Sequence, residues 1–123
     1  MHERSFVSNL IAQVLDEQRR RQLGRLHGIR LELGEFSGFE PQLVELAFEE
    51  LAAHFWKGPV RLELSVVMLS AECLNCATLF RVESFRFVCP ACSSSSVRIT
   101  SGNETRLVSL DVEPIGIHEE SMS

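Results

Sequence analysis

A chain of 123 residues with 45% hydrophobic content can bury one modest core and a small appendage, which argues against more than two compact units. Its net charge of -5 and pI near 5.4 argue against a nucleic-acid partner, because phosphate binding needs clustered cations to displace counterions. No apolar run approaches the length that spans a bilayer and the charged first ten residues do not resemble a secretory signal, so the expectation is a soluble, cytoplasmic protein with reduced thiols and no membrane partner.

From Phe6, apolar residues recur at Val7, Leu10, Ile11, Val14 and Leu15 with helical spacing, predicting a first helix over residues 5–23. Arg19, Arg20 and Arg21 fall in its last turn, where cations oppose the negative end of the helix dipole; they read as a solvated helix end before they read as a partner-binding patch. Ile29, Leu31 and Leu33 alternate with polar residues and predict a half-buried strand. Gly34 and Gly38 bracket a polar turn, and Pro41 stands where a helix can begin, its missing N–H being harmless there. The second helix is expected over 41–55, burying Leu43 or Val44, Ala47, Phe48, Leu51 and Phe55. A second strand follows over 60–66, and a third over 107–112 with Val108, Leu110 and Val112 inward.

Between those strands lie all four cysteines, as Cys73-Leu74-Asn75-Cys76 and Cys89-Pro90-Ala91-Cys92. Each pair can present two sulfurs from a tight turn, and the twelve intervening residues can form a short hairpin joining the turns, so the spacing reads as one four-thiolate metal site. A disulfide within a Cys-x-x-Cys would be a strained redox motif, and a closed sulfur shell suits zinc in a structural role, with iron as the other candidate. Val97 and Ile99 can supply the metal module's last strand.

The order of elements predicts an α+β fold: two helices on a small three-stranded sheet with an inserted four-cysteine zinc-ribbon or knuckle module. The expected division is a discontinuous helical domain over 1–69 and 101–113, a zinc-binding domain over 70–100 and a mobile tail over 114–123. An inserted knuckle on two connecting strands is also a hinge about which a homodimer could exchange elements.

Met1-His2-Glu3 places an amine, an imidazole and a carboxylate on three successive residues. The terminal amine, the deprotonated backbone nitrogen of His2 and its Nδ1 can close adjoining chelate rings on one ion, a nitrogen-rich set that favours nickel(II) or copper(II). His27, His54 and His118 have no companion ligands at recognisable spacing and read as surface or core-edge residues.

These features occur together with Leu33-Gly34-Glu35-Phe36-Ser37-Gly38-Phe39-Glu40-Pro41, Leu46-Ala47-Phe48-Glu49 and Ser101-Gly102-Asn103-Glu104. In that combination the chain resembles the HypA/HybF family over roughly residues 1–113. The resemblance implies a nickel metallochaperone for [NiFe]-hydrogenase maturation, a carrier and not an enzyme. It implies nickel on His2, with Glu3, the Met1 amine and Glu40 as further ligands, and structural zinc on Cys73, Cys76, Cys89 and Cys92. It also implies two partners, the nickel-binding GTPase HypB and a hydrogenase large-subunit precursor. The chain departs from the pattern at Ala77 and Ser93, where relatives often carry glycine, and at the end of the second helix, where Ala53-His54-Phe55-Trp56 replaces a Gly-Thr turn. The competing reading is a zinc-ribbon adaptor that binds protein or nucleic acid; a zinc hydrolase would need an open coordination position, which four sulfurs do not leave.

Overall fold

A computed structural model describes residues 2–113. The elements in chain order are α1 (Glu3–Arg21), β1 (Leu26–Gly34), α2 (Pro41–Ala52), β2 (Arg61–Val67), β3 (Ser70–Cys73), β4 (Leu79–Arg81), β5 (Val97–Ser101) and β6 (Thr105–Val112). They build two three-stranded sheets, one in the order β2-β1-β6 and one in the order β4-β3-β5. The expected α+β architecture is therefore present, with the cysteine module carrying a small sheet of its own.

Two compact units divide the chain. The first comprises Met1–Leu31, Phe39–Leu64 and Leu107–Ser123, and the second Glu32–Gly38 and Ser65–Arg106. The second unit takes in residues 32–38, which hydrogen-bond to its later segment through Gly34 N–H on Glu104 O at 2.9 Å and Phe36 N–H on Gly102 O at 2.6 Å.

In the first unit α1 and α2 pack together, and each buries an apolar stripe. Val7, Leu10, Ile11 and Val14 of α1, Ile29 and Leu31 of β1, and Val44, Ala47 and Phe48 of α2 are all buried. Each large side chain among them contributes about 1.5–3 kcal/mol relative to exposure. At the end of α1 Gln22 takes a left-handed conformation, φ 52, and Leu23 N–H caps Gln18 O at 3.0 Å. Arg19, Arg20 and Arg21 pair with Asp16 and Glu17 within the same helix, which leaves them as the solvated, self-neutralised helix end expected.

The second helix is shorter than its periodicity suggests. It ends at Ala52, so Phe55 falls beyond it and is 53% exposed, not in the core as its spacing implied; Leu43, the alternative to Val44, is also exposed. Trp56 does the anchoring instead: its Nε1–H donates to Gln18 Oε1 at 3.0 Å, and its ring lies 6.4 Å from Phe48. A lone tryptophan whose N–H finds a partner on α1 fastens the departing chain, where a continued helical stripe would have used Phe55.

The second unit has a much smaller core. Leu69, Ala71 and Val82 are fully buried, with Phe80, Phe87, Val97 and Ile99 packed against them. β3 pairs antiparallel with β4 and with β5, and the register with β5 is broken by an irregularity at Ser70/Ala71. Gly102 is required here, because its φ is +93 and a Cβ would stand 2.6 Å from Leu69 N.

Candidate metal centres

The two Cys-x-x-Cys segments fold as near copies of one turn. Cys73 N–H donates to Thr78 O at 2.9 Å and Ala77 N–H to Cys73 O at 2.9 Å; Cys89 N–H donates to Ser94 O at 2.9 Å and Ser93 N–H to Cys89 O at 2.8 Å. In each turn a main-chain N–H two residues on points at the first sulfur, Asn75 at Cys73 Sγ and Ala91 at Cys89 Sγ, both at 3.3 Å. Such donors stabilise a thiolate. Ala77 and Ser93, the residues that close the turns, both have φ 65, the left-handed conformation that glycine adopts without strain. The chain keeps the turn geometry despite lacking the glycines.

All four sulfurs lie within 4.8 Å of one another. Cys73 Sγ is 3.7 Å from Cys92 Sγ, and Cys76 Sγ is 3.6 Å from Cys89 Sγ. A regular tetrahedron with metal–sulfur bonds of about 2.3 Å has edges of about 3.8 Å, whereas a disulfide would need about 2.05 Å. The donor set thus fits a tetrahedral thiophilic ion and no disulfide. Cys73 and Cys89 are buried and Cys76 and Cys92 exposed, one of each per turn.

Neighbouring hydrogen-bond donors, more than burial, set how readily Cys76 and Cys92 ionise. The Thr78 hydroxyl, 3.1 Å from Cys76 Sγ, is the main cause that brings its thiol down to about 6. The Asn75 amide acts similarly on Cys92 and lowers it. At Cys73 the main-chain N–H of Cys76 favours the thiolate, yet burial and the neighbouring sulfurs outweigh it and the thiol is raised. Asn75 and Thr78 did not figure in the sequence reading; the available signal was only that polar residues flank the first cysteine pair.

At the other candidate centre, His2 is the exposed N-cap of α1 and its ring caps no backbone group. His2 O accepts the first helical bond, from Phe6 N–H at 3.0 Å, while main-chain N–H groups at a helix start have no carbonyl four residues earlier. Glu3 is only 5% exposed, and its Oε2 accepts a hydrogen bond from Glu40 N–H at 2.8 Å. The amino terminus first, and then Glu40 N–H, hold the Glu3 carboxyl down at about 2. Phe6 and Phe39 stack at a centroid separation of 4.5 Å, a second tie between the start of α1 and the residues before α2.

The fold therefore brings Glu3 beside Glu40, the N-cap of α2, although they are 37 positions apart. The Glu40 side chain itself caps nothing and is exposed. Met1 lies outside the described residues, as does His118. Among the described residues the cysteines are the sole set of three or more ligand atoms already grouped for one ion. His27 is occupied by Glu113, Nε2 to Oε2 at 2.9 Å, and His54 is exposed.

A family model described as hydrogenase/urease nickel incorporation, metallochaperone, HypA, matches residues 1–112. The chain belongs to the HypA family. A hydrogenase maturation factor HypA from Geobacter sulfurreducens is 36% identical over 113 residues, covering 92% of this chain and 100% of that one. Its counterpart from Methylocella silvestris is 30% identical with the same coverage. The solution structure of the nickel metallochaperone HypA from Helicobacter pylori superposes with a TM-score of 0.65 at 32% identity, covering 91% of this chain and 97% of the other. A second HypA solution structure gives 0.68 at 31% identity, covering 92% and 97%. Membership makes the protein a metal carrier of hydrogenase maturation, not an enzyme, and no described helix is long and apolar enough to cross a membrane.

Proposed function

We propose that this HypA-family chain carries nickel(II) at the start of α1 and holds zinc on its four cysteines. The observation that carries the reading is the contact of Glu3 with Glu40 N–H beside an uncommitted His2, in a chain matched by the nickel-incorporation family from residue 1. His2 is the principal ligand, through its ring and its backbone nitrogen, joined by the Met1 amine. Glu3 and Glu40 are the carboxylates within reach of that end; the buried Glu3, engaged with a backbone N–H, positions the helix start, while the exposed Glu40 side chain is free to approach the ion. Few protein ligands at an exposed terminus allow stepwise ligand exchange, which delivery of a cargo ion requires. A closed four-thiolate shell exchanges slowly, so the cysteines keep zinc in a structural role.

In this reading the nickel-binding GTPase HypB and a hydrogenase large-subunit precursor are the partners on either side of the transfer, in the cytoplasm. His2→Ala is expected to abolish stoichiometric nickel binding in calorimetry and to leave zinc content unchanged, because the His2 ring makes no capping contact. Nickel affinity equal to the parent in that variant would remove His2 from the site.

A further inference from the structure

The first turn of a helix is held loosely, because its leading N–H groups have no carbonyl four residues earlier and its end frays. The ligands proposed for nickel stand on such a turn, at His2 and Glu3, and at Glu40, the N-cap of α2. One hydrogen bond, from Glu40 N–H to Glu3 Oε2 at 2.8 Å, joins the two segments. A single bond leaves them free to turn about it.

The second point of attachment is aromatic. Phe6 lies one turn after His2, whose carbonyl accepts the Phe6 N–H at 3.0 Å, and Phe39 adjoins Glu40 in the chain. Their rings stack with centroids 4.5 Å apart and planes inclined by 25°. Both are half-buried, and neither belongs to the core that Val7, Leu10, Ile11 and Val44 build. A stack outside the core, with one ring beside His2 and the other beside Glu40, fixes the orientation of one segment against the other. Two contacts of different direction remove the rotation that one would allow.

We propose that Phe6 and Phe39 are positioning residues for the nickel cargo, their stack holding the Glu40 carboxylate within reach of His2. This role rests on the nickel site proposed for the start of α1 and deepens it. The rings touch no ion; they lower the ordering cost of binding, since a ligand group already placed loses less freedom than one recruited from solvent.

The test is calorimetric nickel titration of the untagged, zinc-loaded chain, with circular dichroism and zinc content checking that each variant is intact. Phe39→Ala is expected to weaken nickel binding about three- to ten-fold, as loss of an aromatic pair predicts. Phe39→Tyr, which keeps the stack, should retain the parent affinity, and so should Phe55→Ala, which removes an exposed ring beyond α2. If Phe39→Ala loses helix content, Phe39→Leu, which keeps apolar bulk without a ring, is read in its place. A double-mutant cycle with Glu40→Gln then separates positioning from general support. In that background Phe39→Ala should cost no further affinity, because a residue that acts through Glu40 has nothing left to place. Parent affinity in the ring variant, or a loss that persists undiminished without the Glu40 carboxylate, overturns the positioning role and leaves the nickel site standing. Parent affinity in Glu40→Gln removes that carboxylate from the site and the positioning role with it.

Discussion

The cysteine turns and the start of α1, the two metal sites proposed above, are held by different means. In the second unit the sulfurs are already grouped within 4.8 Å, on turns repeated almost bond for bond, and the adjoining core has three fully buried residues. So small a core gives the unit little apolar stabilisation of its own, and an ion that binds only the ordered turns would add its binding free energy to folding. In the first unit the relation is reversed: two helices and a strand bury apolar stripes of their own, and the ligands proposed at the N-terminus sit at the edge of that scaffold. A metal that builds its own surroundings is hard to give away, while one that joins a finished surface can be released.

The largest effect that should separate the two regions is removal of a buried sulfur. Cys73→Ser is expected to lose zinc and to unfold the second unit while α1 and α2 persist, as read by elemental analysis together with far-ultraviolet circular dichroism and amide NMR. Full zinc occupancy in that variant would mean that three sulfurs suffice and that the comparison is drawn wrongly.

Acid should next distinguish the helix start from other surface carboxylates. The Glu3 carboxyl sits at about 2 in the folded chain, against about 4.3 when unfolded. A depressed folded value stabilises fully above the unfolded value and is lost as pH falls toward the folded one, so Glu3 stabilises at neutral pH and ceases to between about 4.3 and 2. Relative to the parent, Glu3→Gln should have a lower urea midpoint near neutrality, and the difference should shrink across that window. A difference that stays constant with pH would show that the carboxylate's charge contributes nothing.

The smallest effect concerns the left-handed residues of the knuckles. Ala77→Gly and Ser93→Gly should each favour the zinc-bound turn by up to about 1 kcal/mol, the relieved left-handed strain being partly offset by glycine's greater freedom when unfolded. Competition with a chromophoric zinc chelator can resolve that gain; weaker zinc retention would indicate that Ala77 and Ser93 make compensating contacts.

Much of this contrast was legible in the sequence. The alternation at Ile29, Leu31 and Leu33, the helical period of Val7, Leu10, Ile11 and Val14, and the cysteine spacing are one-dimensional traces of a buried face and a closed shell, and the structure keeps them. Periodicity failed at Phe55, since it records which face a residue would take but not where a helix stops; α2 stops at Ala52, and Trp56 beyond it reaches Gln18. The tie between Glu3 and Glu40 lacked any local pattern, because it joins a side chain to a backbone N–H far along the chain. Ser84 and Phe85 were equally silent: neither is a residue that announces a turn in which both take positive φ, 53 and 55, and the contact of the Phe85 ring with Phe36 joins positions far apart in the chain.

The most direct measurement is metal analysis of the untagged chain before and after nickel loading, with His2→Ala and Cys73→Ser in parallel. The division of labour predicts one zinc per chain before loading, one zinc and one nickel after it, zinc alone in His2→Ala, and nickel without stoichiometric zinc in Cys73→Ser. Nickel that displaces zinc from the parent, or that binds His2→Ala as well as the parent, would contradict it.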